Sequence, residues 1–230
     1  MAATPELSVV LPCRNQADHI EGVLRAWPPA LEAAGISFEI IAVPNACTDE
    51  TPGIVARVAQ ADPRIRVVEN PAGGWGKSVR MGLEAAGGSA ACFTNSARTD
   101  PATLVAVFEL YRRKAPCLAK AVRTARGAPV RGIGSWLYNL EARLLFGIRC
   151  RDVNGTPKIL PVGFVGRFDL AQDGDLLDLE VLVRAARLGV PVVELEVPGF
   201  RRHGGVSTTT WGSAWRMYAG ALRLRMMMMR

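Results

Sequence analysis

The chain alternates short apolar runs with segments of helical spacing. Leu7–Leu11 (LSVVL) is an apolar run closed by Pro12, and Asp18–Trp27 places Ile20, Val23, Leu24 and Trp27 on one helical face. Phe38–Val43 (FEIIAV) predicts a second buried strand, closed by Pro44 and followed by a helix from Pro52 to Gln60. Ile65–Glu69 predicts a third strand, Asn70–Gly76 a glycine-rich turn, Lys77–Ala86 a helix and Ala90–Thr94 a fourth strand. Strands separated by helices of this length imply βαβ units and a mostly parallel sheet. Ligands then gather at the carboxyl ends of the strands, where the chemistry should be sought. Further on, Pro101–Lys114, Ser135–Phe146 and Leu176–Leu188 predict helices, and Leu118–Val122 and Val190–Val197 predict strands. No repeat or low-complexity linker divides the 230 residues, a length that suits one α/β domain.

Charge changes this picture at one end. The net charge is +7, and the 34 residues from Val197 to Arg230 hold six arginines and no acid. The expected organisation is a domain over 1–205 and a basic amphipathic tail over 206–230. Trp211–Arg230 mixes Trp211, Trp215, Met217, Leu222 and Leu224 with arginines, the composition of a helix lying on an anionic membrane surface; packing on the domain or on a dimer partner is the alternative. No run of about 18 apolar residues occurs, and Met1–Glu6 lacks a positive-then-apolar pattern, so neither a membrane span nor a signal peptide is expected. Five scattered cysteines without a C-x-x-C pair fit reduced thiols and a cytoplasmic location. Nucleic acid is not expected as a partner, because the basic end matches no known nucleic-acid module and lacks aromatics interleaved on a sheet.

Gly73–Ser78 (GGWGKS) carries a Gly-Lys pair, but a phosphate loop needs glycine where Pro71 stands. Gly76 and Lys77 still open a helix, where free N–H groups and the dipole favour an anion. His19 and His203 are the two histidines, and no zinc site is expected from them.

Five segments together resemble family 2 glycosyltransferases, in order and on matching elements. They are Ser8–Ile20 (SVVLPCRNQADHI), Glu39–Thr51 (EIIAVPNACTDET), Gly74–Leu83 (GWGKSVRMGL), Arg151–Leu160 (RDVNGTPKIL) and Leu176–Gly189. The last two resemble the polyprenyl-phosphate sugar synthases within that family. The resemblance implies a GT-A fold, a Rossmann-like α/β sandwich holding a UDP- or GDP-sugar over the first four strands. It implies inverting transfer to a polyprenyl phosphate or a small-molecule acceptor, in the cytoplasm at the inner face of the cell membrane, with a homodimer left open. Donor contacts would fall on Pro12, Cys13, Arg14, Asn15, Asn45, Gly76, Lys77, Asn95, Ser96, Ala97 and Arg202, the last in a basic loop, Arg201–Ser207, that relatives close over the diphosphate. Acceptor contacts would fall on Arg123, Arg131, Ser135, Asp152, Asn154 and Lys158. Asp178, with Asp175 behind it, is the acid expected to face the acceptor as base.

The sequence departs from the family where acids are usual. Pro44-Asn45 stands where relatives carry aspartates at the second strand, and Asn95-Ser96-Ala97 where they carry Asp-x-Asp for Mg2+ or Mn2+. Hard cations need carboxylate oxygens, which that triad lacks. Asp100, before Pro101, reads instead as a helix N-cap. Two readings follow: Arg98 or Lys77 neutralises the diphosphate in place of metal, or the protein binds nucleotide, partner or membrane without catalysis.

Overall fold

The computed structural model describes residues 4–124, 129–198, 204 and 211–228, of which 129–133 and 211–216 are described by backbone alone. The elements run β1 (Leu7–Cys13), α1 (Ile20–Ala33), β2 (Phe38–Pro44), α2 (Thr51–Ala61), β3 (Ile65–Val67), α3 (Trp75–Glu84), β4 (Ala90–Phe93) and α4 (Pro101–Lys114). They continue with β5 (Leu118–Arg123), α5 (Pro129–Phe146), β6 (Lys158–Pro161), the one-turn α6 (Val165–Phe168), α7 (Leu177–Arg187), β7 (Val192–Val197) and α8 (Trp211–Met228). The strands form a single sheet in the order β3-β2-β1-β4-β6-β5-β7. β1 pairs in parallel with β2 and β4, and β5 in parallel with β7; β6 runs antiparallel between β4 and β5.

Strand alternation sorts the core into two layers. Leu7, Val9 and Leu11 of β1 face one side with Ile40, Ala42, Cys92 and the inner faces of α1, α2 and α4. Val10, Ile41, Phe93 and Leu160 face the other, against α3, α5, α7 and α8. Gly82 lets α3 lie directly on β1, since a Cβ there would fall 2.2 Å from a Val10 methyl.

Two elements differ from the sequence expectation. α1 does not end at Trp27 but runs through Pro28 and Pro29 to Ala33. Proline costs the helix a hydrogen bond, yet Trp27, Pro28 and Leu31 are all buried, and that apolar contact carries the helix onward. β6 was hidden in the segment Arg151–Leu160, where Lys158 breaks the apolar pattern in a strand of four residues. Residues 211–228 form α8, whose buried Ala221 and Leu224 join the second core layer. Among the described residues no helix is long and apolar enough to cross a membrane.

Candidate active site

The site lies at the carboxyl ends of β1, β2 and β4 and continues across β6 and β5 to the start of α7. Its first half is held together mainly by neutral side chains and main chain, with Asp49 the one carboxylate that ties the turns. Asn15 (φ +50°) and Ala46 (φ +43°) take left-handed conformations that turn the chain sharply after β1 and β2. Asn15 accepts the Thr48 N–H (2.8 Å), and Asp49 accepts the N–H groups of Ala17 and Thr51, so the two turns hold each other. Asn45 is buried; its N–H donates to the Cys13 carbonyl (2.8 Å), while its Oδ1 has no hydrogen-bond partner. Asn70 pairs with Asn45 through a parallel bridge and likewise keeps an unpartnered Oδ1. The orientation of the Asn70 amide is fixed chemically. Ser78 donates its hydroxyl proton to the Gly74 carbonyl and so accepts from Asn70 Nδ2 (2.9 Å). Two buried carbonyl oxygens without partners thus lie at the end of β2, beside Gly73, whose left-handed turn (φ +78°) would set a Cβ 3.1 Å from that of Ala46.

The end of β4 is occupied by its own turn. Thr94 and Thr99 share a buried hydroxyl contact (2.7 Å), Ser96 donates to Gln16, and Asn95 Oδ1 accepts the Ala97 N–H (2.9 Å). Asp100 caps α4 through Thr103 N (2.9 Å) and Thr103 Oγ1 (2.7 Å), as its place before Pro101 suggests. No carboxylate at this strand end is left for a divalent ion, and among the described residues no group of three or more acids, histidines or cysteines is placed to hold a metal ion. The donor set does not fit Mg2+ or Mn2+.

Other predicted donor residues fall in different surroundings. Cys13 and Ala97 are fully buried, and the Cys13 thiol turns back to the Leu11 carbonyl, so their side chains belong to the core and only their main chain reaches the site. Pro12 is buried, and Arg14 is exposed beside Asn15. Gly76 faces the segment 172–174, where a Cβ would meet the Gln172 carbonyl at 2.2 Å; Lys77 donates its N–H to the Asp173 carbonyl (3.1 Å). One amide at the start of α3 is thus used inside the protein, while the half-buried Lys77 side chain has no carboxylate partner among the described residues. Arg202 and Arg131's side chain lie outside the described residues. Gly204, from the same basic loop as Arg202, sits against Asp18 and His19 at the start of α1.

The second half is densely charged. Lys158, fully buried on β6, forms a short ion pair with Asp178 Oδ1, and its ammonium stands 5.4 Å from the centre of the Phe93 ring. Asp178 Oδ2 accepts the Trp75 indole N–H (3.2 Å), so both oxygens of the predicted base are engaged. Arg123 grips the buried Asp152 with two parallel bonds (2.8 and 2.9 Å). Burial works against the Arg123 charge, but Asp152, with Asp178 behind it, more than offsets this and holds the guanidinium above its ordinary value. Gly155 permits the turn, since a Cβ would fall 2.2 Å from the Ala121 carbonyl; Asn154 beside it has an unpartnered Oδ1. Ser135 is half-buried, and Asp175 is exposed in the turn before α7.

Sequence reasoning missed four contributors. Lys120, opposite Lys158 in the strand register, is fully buried and bonds the Ala121 carbonyl (3.0 Å); desolvation lowers its ammonium. Tyr138, on the inner face of α5, buries a hydroxyl without a partner, and burial followed by the charge of Asp178 pushes that hydroxyl up. Glu180 accepts the N–H groups of Ala171 and Gln172 and shapes the loop before α7. Trp75 anchors Asp178 from the first turn of α3. A lysine in the middle of the apolar run LAKAV was the one visible signal for Lys120.

Residues 8–96 match the model of glycosyl transferase family 2. An uncharacterized glycosyltransferase of Mycobacterium tuberculosis is 31% identical over 223 residues, covering 87% of this chain and 88% of that protein. Glycosyltransferase AglD of Haloferax volcanii is 33% identical over 207 residues, 85% of this chain, which spans about a third (33%) of that longer protein. Glucosyl-3-phosphoglycerate synthase from Mycobacterium tuberculosis, solved with Mn2+, uridine diphosphate and phosphoglyceric acid, has the same fold, with a TM-score of 0.73, 20% identity, and coverage of 96% of this chain and 78% of that one. The chain belongs to glycosyl transferase family 2, and its architecture is the GT-A fold the sequence predicts.

Proposed function

We propose that the protein moves a sugar from a UDP- or GDP-linked donor to an acceptor that arrives as a phosphate, polyprenyl phosphate first, in one inverting displacement without a divalent ion. The observation that carries this is the engagement of Asp178 by Lys158 and Trp75. An alcohol acceptor needs a free base to take its proton; a phosphate is already an anion and needs none. Asp178 then acts by fixing Lys158 and Trp75; the Arg123 fork is held by Asp152, so Arg123 offers a phosphate only the edge of the guanidinium that this pair leaves over.

On the donor side, the open oxygens of Asn45 and Asn70 suit the N–H groups of a base, with Asn15 and Arg14 flanking it. Lys77 and the loop containing Arg202 supply positive charge to the leaving diphosphate in place of metal. The acid-free end of β4 also favours a second reading, a glycosyltransferase-fold protein that binds nucleotide or a partner and does not turn over.

Radiolabelled UDP- and GDP-sugars incubated with polyprenyl phosphate, with and without EDTA, separate the two. Transfer that the chelator leaves unchanged is the expected result. Nucleotide binding in calorimetry with no turnover from any donor would establish the second reading.

A further inference from the structure

Helix α5 is apolar on two faces: Tyr138 and Ala142 pack into the second core layer, and a second apolar stripe points outward. Trp136 is 62% exposed and Leu144 77% exposed, with Leu137 between them also in solvent. Leu140 is half-buried on the same stripe. The opposite face carries the chemistry. Tyr138 and Asn139 are buried there, and Asn139 bonds the Arg151 carbonyl and the Val153 N–H on either side of Asp152. α8 packs beside α5 through the edge-to-face pair Tyr138–Tyr218 and the bond from Tyr218 to the Gly134 carbonyl (2.7 Å). Its outer face likewise exposes Leu222, Met226 and Met227.

Arginine dominates the charge around this surface. Arg143, Arg149 and Arg223 are exposed. Glu141 is the sole acid in the sequence of α5 and α8, and its Oε2 is buried. Beyond the C-terminal end of the α5 stripe lies a groove of about 400 Å³, lined by Arg143, Arg149 and Arg151. Arg151 is already paired with Glu194 and Glu196, so Arg143 and Arg149 supply the free charge. Exposed aromatic and aliphatic groups ringed by arginine are suited to the boundary between acyl chains and anionic headgroups.

We infer that the outer face of α5, extended by α8, docks on a bilayer containing anionic phospholipid, so that one helix touches the membrane on one side and lines the acceptor site on the other. The inference rests on the proposed lipid-phosphate acceptor and gives it a route: the headgroup of a membrane-borne acceptor reaches Arg123 along the helix whose far side rests on the lipid.

Flotation of the intact chain with vesicles of phosphatidylcholine, with and without phosphatidylglycerol, tests it. The wild type should float with the phosphatidylglycerol vesicles, and the doubly substituted Trp136→Ser/Leu144→Ser variant should lose about tenfold or more of that binding. Arg149→Gln with Arg223→Gln should remove the preference for phosphatidylglycerol. Both variants change exposed residues, so nucleotide binding in calorimetry should stay as in the wild type. A wild type that stays unbound, or equal flotation of wild type and the Trp136/Leu144 variant, overturns the inference. So does a dimer in sedimentation that this variant converts to monomer, which would assign the face to a second copy. Intact flotation with no nucleotide-sugar binding would instead sink the transfer reading and leave the docking surface standing.

Discussion

The two halves of the site hold their geometry by different means. Around the ends of β1, β2 and β4, short side chains, neutral apart from Asp49, bond main chain and one another, as Asn95 does with Ala97 and Ser96 with Gln16. Across β6 and β5 the same task falls to buried ion pairs, Lys158 with Asp178 and Arg123 with Asp152. A neutral turn that loses one bond loses a modest amount, whereas a buried pair that loses one partner strands a charge. The second half is therefore far less tolerant of single substitutions.

The largest effect should come from Lys158→Ala, which leaves Asp178 without its cation. A loss of about 3–5 kcal/mol is expected in urea unfolding. The double change Lys158→Met/Asp178→Leu should recover much of that stability and no turnover. Asp152→Asn should cost about 2–3 kcal/mol, because Arg123 keeps one weaker partner, and it should raise KM for the acceptor more than for the nucleotide sugar.

Glu39 gives a buried charge outside both halves for comparison. It lies at the opposite end of the sheet from the site. Burial there works against its charge, but Ser8, Arg66 and the Gly87 N–H together outweigh it, so its carboxyl sits below the ordinary value. The folded state thus favours the ionised form. The stabilisation is present above the unfolded carboxylate range and is lost as pH falls through the folded value. Glu39→Gln should cost about 1–2 kcal/mol at neutral pH and little in acid, seen as a flatter acid limb in melts taken across pH. The smallest effect should be Ser96→Ala, about 1 kcal/mol or less, with nucleotide affinity unchanged by EDTA in wild type and variant alike.

How much of this was legible follows from what each residue depends on. The strand and helix order was legible because buried parallel strands are nearly continuous apolar runs, and Asp100 was legible as a cap because its partner Thr103 is three residues away. The pairings were not. Trp75 and Asp178 are 103 positions apart and Lys158 and Asp178 twenty apart, and only the placement of β6 between β4 and β5 brings them together. The candidates Arg123, Asp152, Lys158 and Asp178 emerged from resemblance, while the fact that they hold one another required the fold. The outward stripe of α5 was hidden for a related reason: spacing gives a helix an apolar face but does not say which way it turns.

The contact of Gly74 and Gly76 with residues 172–174 has a consequence for how α3 is tied to the loop before α7. The contact is made by main chain on both sides, so it constrains the glycines and leaves the side chains of Gln172 and Asp173 unconstrained by it. The Asp173 carboxylate adds a separate ion pair to Arg80 of α3 (2.8 Å), so this short seam ties α3 to the loop before α7 through main chain and charge together.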